Sequence, residues 1–388
     1  MNNRPYIDTR ARLRNIRITC NIESVKMSIN QLSTEILQKI YEYTTLQDLL
    51  HLAQTSKRNY RVFLGRRMHL LEQSMQNSYS PLPDLYKLVI SNEPDKSRKP
   101  LGTEIRRNLI VNRIIETRKT PKLTLELLIK MAIYGKIADR WTELYPQIRW
   151  RHNFSNRRLL RLYEQERLRG AIYRHWTYNS LFHDQIFMHF DPDLPGSRDD
   201  PRLRILRTYT TIELVQLTEY VDKMRQLLET DLYPSYSVIR HSYSEPVPPR
   251  TLVNLGWGNG TFHRRLVCDL MKYSPADLLY LFDETSTKKQ RMEYLMARGI
   301  SFADMPATLR DSIALVMLER KVLLDTERDI SDEDIEYGII DTPDTVGPGY
   351  YSCHQYANDA SLDGIFVNGL QVRLPLSTNG DLEQQEED

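Results

Sequence analysis

The residues that invite a chemical reading fall in three places. From Trp150 to Trp176 the chain reads WRHNFSNRRLLRLYEQERLRGAIYRHW, which interleaves Arg151, Arg157, Arg158, Arg161, Arg167, Arg169 and Arg174 with Trp150 and Tyr163. Guanidinium groups neutralise phosphates and aromatic rings stack on bases, so such a run suits a nucleic acid. Leu159, Leu162 and Ile172 share the segment, and Glu164 and Glu166 interrupt its field. That mixture equally suits a solvated helix or one facing an acidic protein partner, with Arg157, Arg158 and Arg161 as the candidate contacts. The second place is Gly256-Trp257-Gly258-Asn259-Gly260, after an apolar run. Glycines so spaced let a backbone approach a cofactor at a strand-to-helix turn, or join two packed helices where φ is positive. The third is a set of histidines. His183 and His189 are six apart, off the i, i+4 pitch of a helical metal pair, and no HExxH occurs. His175 beside Trp176 reads as a helix-face residue, and no Ser-His-Asp set, P-loop or carboxylate pair stands out. The expectation is a noncatalytic chain with no cofactor and no metal.

Composition narrows the classes. At 388 residues and 40% apolar content the chain is long enough for two or three domains with real cores. Lys and Arg number 53 against 51 Asp and Glu, a net charge of +2 that forces no nucleic-acid or membrane partner. The charge is uneven: basic residues dominate from Arg98 to Arg174, and acidic ones dominate the final stretch. Cys20, Cys268 and Cys353 lie too far apart for a disulfide framework or a CxxC knuckle, which fits a reducing compartment. No run of 18 apolar residues exists and no signal-peptide core precedes residue 28, so neither membrane insertion nor secretion is expected. Residues 1–27 carry Arg4, Arg10, Arg12, Arg14 and Arg17 against Asp8 and Glu23, the composition of a solvated basic arm or of a mitochondrial transit peptide.

The elements that must hold these residues read as helices. Between Ser28 and Met75, Ile36 and Ile40 are four apart, as are Leu49 and Ala53, which predicts short amphipathic helices broken near Thr44-Thr45 and capped at Ser33 or Thr34, with Glu35 in the first turn. Residues 76–102 hold Pro81, Pro83, Pro94 and Pro100 among polar residues and read as a linker. From 103 to 329 helical patterning returns. Leu123, Leu127 and Met131 form one stripe, and Leu214, Leu217, Val221, Met224 and Leu228 another. Ser274-Pro275 opens a helix that closes at Gly299, and ATLRDSIALVMLERKVLL supplies one more. DPDLPGSRDDP (191–201) and SEPVPPR (244–250) read as loops. Residues 330–388 form an acidic, partly disordered tail, with GIFVNGLQVRLPL forming a small hairpin about Asn368-Gly369. The fold class is therefore all-α: a small N-terminal module of short amphipathic helices, then a larger irregular helical domain.

The order Leu32, Glu35, Ile36, Leu37, Ile40, Tyr43, Asp48, Leu49, Leu52, Ala53, Thr55 and Tyr60 within residues 32–60 closely resembles the F-box, a three-helix module. Three positions depart from that family: Ser33 stands for its usual proline, Thr44 for the leucine after Tyr43, and Tyr60 lies near a common tryptophan. Serine also favours a helix start. The Thr44 hydroxyl must find a partner, and Leu46 restores some of the lost apolar surface. The resemblance implies that Leu32, Glu35, Ile36, Leu37, Ile40, Leu46, Leu49, Leu50, Leu52 and Tyr60 bind a Skp-type adaptor and through it a cullin scaffold. The chain would then be the substrate-recognition subunit of a ubiquitin ligase in the cytoplasm or nucleus. RLLRLYEQERLRGAIYRHWTYNSLF is similar to a helix of uncharacterised fungal F-box proteins, which implies a family-specific helical domain for an unknown target. Two rival classes stay open: a nucleic-acid binder through residues 98–174, and an enzyme. The latter rests on GWGNG, which resembles the first motif of S-adenosylmethionine-dependent methyltransferases. Asn254 stands there in place of that motif's acidic residue, and no acidic residue ends a second strand about 20 positions on. The bland alternative for residues 32–60 is simply the start of a helical core.

Overall fold

The computed structural model describes residues 29–93, 103–116, 123–151, 154–183, 200–243, 246–298, 308–327, 338–340, 365–367 and 370–372. The basic arm (1–27), most of the 191–201 loop, His189, Cys20, Cys353 and most of the acidic tail lie outside the described residues. The chain is all-α, as its periodicity predicts.

Hydroxyl caps set the first three helices. Ser33 Oγ accepts the N–H of Ile36 at 3.4 Å and opens α1 (Thr34–Tyr43), with Glu35 in its first turn. α1 stops at Thr44, and Thr45 caps α2 (Leu46–Gln54) by accepting the N–H of Asp48 at 3.2 Å. Ser56 opens α3 (Lys57–Gly65) through the N–H of Asn59 at 3.1 Å. The break predicted at Thr44-Thr45 is present, and the Thr44 hydroxyl is satisfied by donating to the Tyr41 carbonyl at 2.9 Å. α4 (Arg67–Tyr79) packs on α1 and α2 and also on α7 (Leu125–Arg149). The expected module boundary at residue 75 therefore falls inside a continuous helix. At Gly135 of α7 a Cβ would come within 2.5–2.9 Å of the Tyr79 ring, so only glycine allows α4 this close.

The linker expected over 76–102 is, in its first part, core. α5 (Leu82–Ser91) begins directly after Pro81, with Pro83 in its first turn, and buries Leu82, Leu85, Tyr86, Leu88, Val89 and Ile90. Proline lacks only an N–H that the first turn of a helix leaves unpaired, so these prolines start a helix instead of breaking one. Residues 94–102 lie outside the described residues. α6 (Thr103–Glu116) packs on α5 and on α9 (Pro201–Leu206).

α8 (Leu162–Phe182) is the axis of the body, with α5, α7 and α10 (Thr211–Leu227) packed round it. Every residue from Leu168 to Asn179 is buried, as a helix with apolar neighbours on all sides requires. Several of its polar groups are paired inside the protein, whereas, among the described residues, Thr177 Oγ1 and His175 Nδ1 are buried without a hydrogen-bond partner. Arg174 Nη2 lies 2.7 Å from Asp84 Oδ2 and 2.6 Å from Glu213 Oε1, and Tyr173 donates to the Tyr79 carbonyl at 3.2 Å.

α10 runs on through a π-helical turn, Leu228–Leu232, into α11 (Tyr236–Ser242), α12 (Pro249–Leu255) and α13 (Gly260–Leu270). The helix expected from Pro275 to Gly299 starts as predicted, with Ser274 Oγ accepting the N–H of Asp277 at 3.2 Å, but it is two helices. α14 (Pro275–Asp283) ends before Thr285, and Thr287 with Gln290 forms a capping box that restarts the chain as α15 (Lys288–Ala297). α16 (Leu309–Glu327) packs on α9 and α10. Farther on, Ile339 and Ile340 are buried. The expected hairpin is present as β1 (Ile365–Val367) antiparallel to β2 (Leu370–Val372), with Val367 opposite Leu370.

Candidate functional site

Each of the three N-terminal helices carries a buried inner stripe and, beside it, an apolar outer one. The inner ones, Leu37 with Tyr41, Leu49 with Ala53 and Asn59 with Phe63, are all spaced i, i+4 and buried. One residue earlier or later, about 100° round the helix, lies an outer set at the same pitch. On α1 it is Ile36, Ile40 and Tyr43; on α2, Leu46 and Leu50; on α3, Tyr60 and Leu64. Ile36 is 51% exposed, Leu50 40%, Tyr60 50%, Leu64 46% and Tyr43 82%, whereas Leu37 and Leu49 are at 0%. The apolar arc of these helices is therefore wider than their own core takes up.

This placement corrects the expected adaptor-contact set. Leu37 and Leu49 fill the interior and have no surface to offer, because the inner stripe must close the small core. Leu32, Ile40, Leu46 and Leu52 are partly buried, and Glu35 is exposed. Two additions that the resemblance did not supply are Leu64 and Met68, the latter 37% exposed. Tyr60 and Leu64 share a face by their i, i+4 spacing, a signal present in the sequence. The group is held together by polar ties: Arg58 Nη2 donates to the Leu32 carbonyl at 2.6 Å, and Tyr41 donates to the Asn59 carbonyl at 3.1 Å. From α4, Asn77 Nδ2 donates to the carbonyls of Glu42 (2.8 Å) and Thr44 (3.1 Å), and Ser78 Oγ accepts the Leu46 N–H at 2.8 Å.

The basic run divides between inward and outward arginines. Arg158 makes a two-pronged pair with the fully buried Glu164, at 2.6 Å for each contact, and its guanidinium lies 5.3 Å from the Trp150 ring centre. Burial works to raise the Glu164 pKa, but Arg158 and the Arg161 N–H outweigh it and hold the carboxyl below its usual range. Arg158, one of the three expected target contacts, thus has an internal partner. Arg169 and Arg174 are buried, and Arg151 pairs with Asp231. Arg157 and Arg161 remain exposed, with Arg161 Nη1 donating to the Tyr163 hydroxyl at 2.8 Å.

The glycine-rich turn joins helix to helix. The segment before it is α12, so the strand that a cofactor-binding turn needs is not formed here. Gly258 (φ 90°) and Gly260 (φ 58°) adopt the left-handed region, which accounts for the glycines. The turn is knitted to its surroundings: Tyr236 N–H donates to the Gly258 carbonyl at 3.0 Å, and Trp257 N–H to the Pro234 carbonyl at 3.0 Å. Lys288 Nζ donates to the carbonyls of Val253 (2.8 Å) and Gly256 (2.6 Å) and lies 5.1 Å from the Trp257 ring centre. Beside it opens a cleft of about 830 Å³ whose lining includes Ile239, Tyr243, Val253, Trp257, Lys289 and Arg291.

His175 is buried and His183 partly buried. Asn179 Nδ2 lies 3.1 Å from His175 Nε2 and its Oδ1 3.0 Å from His183 Nδ1. The amide nitrogen donates to His175 Nε2, and the Thr308 N–H donates to His183 Nε2 at 3.4 Å, so each ring keeps one unprotonated nitrogen and is neutral. Burial lowers the pKa of His175 to about 4 and that of His183 to about 3. Among the described residues no cluster of His, Cys, Asp and Glu is arranged to hold a metal ion, and no helix is long and apolar enough to cross a membrane.

No family model, curated protein or solved structure matches this chain.

Proposed function

We propose that the chain is a substrate receptor of a ubiquitin ligase, with residues 32–68 docking on a Skp-type adaptor and the helical body capturing a target protein. The observation that carries this reading is the outer apolar stripe of α1 to α3, left half-exposed at Ile36, Leu50, Tyr60 and Leu64 in a module whose sequence order resembles the F-box. A partner that covers these side chains gains about 1.5–3 kcal/mol for each one fully buried. Several of them, after the cost of association, suffice for an interface of standard size. Catalysis would then be by proximity: a captured lysine is held near a charged conjugating enzyme, and no residue of this chain does bond chemistry. The test is co-purification of the Skp adaptor with the native chain and with the Leu32→Ala, Ile36→Ala double variant. Loss of the adaptor from a variant with an unchanged circular dichroism spectrum supports the reading, and undiminished recovery overturns it.

A further inference from the structure

The tripeptide Gly338-Ile339-Ile340 is seated in the body against residues far from it in sequence, Glu219 and Arg167. Ile339 is 0% and Ile340 6% exposed. The N–H of Ile339 donates to Glu219 Oε2 at 2.6 Å, and Arg167 Nη1 lies 3.5 Å from the Gly338 carbonyl. A Cβ at residue 338 would run into the Glu219 carboxylate, so glycine is required there. Glu219 itself is prearranged. It is buried on α10, its Oε1 accepts from the Tyr145 hydroxyl at 3.1 Å, and Arg149 Nε lies 3.8 Å from the same oxygen. A buried carboxylate oxygen turned to a main-chain N–H, beside two buried aliphatic side chains and with little room for a Cβ, is the recognition chemistry of a short bent peptide. Either side of the tripeptide the sequence is acidic, with Asp332, Glu333, Asp334 and Glu336 before it and Asp341 and Asp344 after it, which complements Arg149 and Arg167.

We infer that the helical body contains a peptide-binding slot centred on Glu219. Its ligand is a segment with glycine followed by two aliphatic residues and flanked by acidic ones, and the chain's own residues 338–340 occupy it as a competitor. A partner bearing such a segment binds by displacing them. The inference does not depend on adaptor binding, and its test uses no adaptor.

The probe is a fluorescein-labelled peptide of residues 331–344, SDEDIEYGIIDTPD, titrated by anisotropy with the full chain. The Ile339→Asp, Ile340→Asp variant, whose slot is vacated, should bind the probe at least tenfold more tightly than the native chain. A probe carrying Gly338→Ala should not bind, and Glu219→Ala added to the vacated variant should abolish binding. Gly338→Ala in the chain is a second way to release the segment without adding charge, and it too should raise probe affinity. Equal probe affinity for native and released chains, or unfolding of both released variants in circular dichroism, would overturn the inference and make residues 338–340 an ordinary part of the core.

Discussion

The two stripes of the N-terminal helices should separate binding from folding. Ile36 and Tyr60 are each about half-exposed, so a covering partner can bury the remaining half of each side chain. With full burial worth ~1.5–3 kcal/mol, that half is worth about 0.75–1.5 kcal/mol per residue. The Ile36→Ala, Tyr60→Ala double variant should therefore bind the Skp adaptor about 10- to 150-fold more weakly. Its own stability should fall by a similar, modest amount, because only the other half was already buried. Leu37→Ala, one residue round the same helix from Ile36 and at 0% exposure, should instead cost about 2–5 kcal/mol of folding free energy. The assay is paired: calorimetric titration of purified adaptor, and urea unfolding followed by circular dichroism. Adaptor affinity unchanged in the double variant would refute the assignment of the outer stripe. A Leu37→Ala variant as stable as the native chain would refute the inner one.

The remaining predictions test the body. His175 is held neutral by burial, with its pKa lowered from 6.5 to about 4, so below pH 6.5 the unfolded chain takes up a proton that the folded chain refuses. Stability should fall with pH across that window, by about 2 kcal/mol at pH 5 from this residue alone. His183 acts in the same direction, and urea midpoints of native and His175→Gln chains from pH 7 to 5 check the slope. Arg174→Met takes from the buried Asp84 carboxylate one of its two cationic partners, leaving Lys87 at 3.3 Å, and should cost about 1.5–3 kcal/mol, part of it recovered by adding Asp84→Leu, as thermal melts would report. Gly258→Ala forces a side chain into φ 90° and should cost about 1–3 kcal/mol. S-adenosylmethionine should not raise the Tm of the native chain, whereas a true ligand at a hundredfold excess over its Kd would add about 2.7 kcal/mol. Replacing Arg157 and Arg161 with Glu should change the captured partners in pull-downs without lowering Tm, while Arg158→Glu should lower it by setting a second carboxylate against Glu164.

What was legible in the sequence is what local chemistry decides. Ser33, Thr45 and Ser274 each cap a helix because a hydroxyl reaches an N–H three residues on, which needs no knowledge of the rest of the chain. Gly258 and Gly260 likewise announce positive φ. The Thr287-Gln290 capping box was equally local, but it lay inside an otherwise continuous helical pattern and so was read through. α5 was hidden for another reason: Pro81 and Pro83 look like linker residues until Leu85, Leu88 and Val89 find α7 and α8. The inward turn of Arg158, Arg169 and Arg174 was not visible as a set. Glu164 is near Arg158 in sequence, but Asp139, Asp84 and Glu213, which receive the other two, are 30 or more residues away. Nor does periodicity reveal which of two adjacent apolar stripes faces inward; only the position of α4 decides between Ile36 and Leu37.

α4 also sets a mechanical condition. Because it packs on α1 and α2 as well as on α7, and because Asn77 and Ser78 grip the break between α1 and α2, the N-terminal module is clamped to the body and does not swing from a tether. In a receptor of the proposed kind that makes the chain a ruler. A lysine on the captured target would be presented at one distance and bearing from the adaptor, so the choice of modified lysine would follow from geometry more than from its surrounding sequence. A target that bound the body equally well but turned differently would be held without being marked.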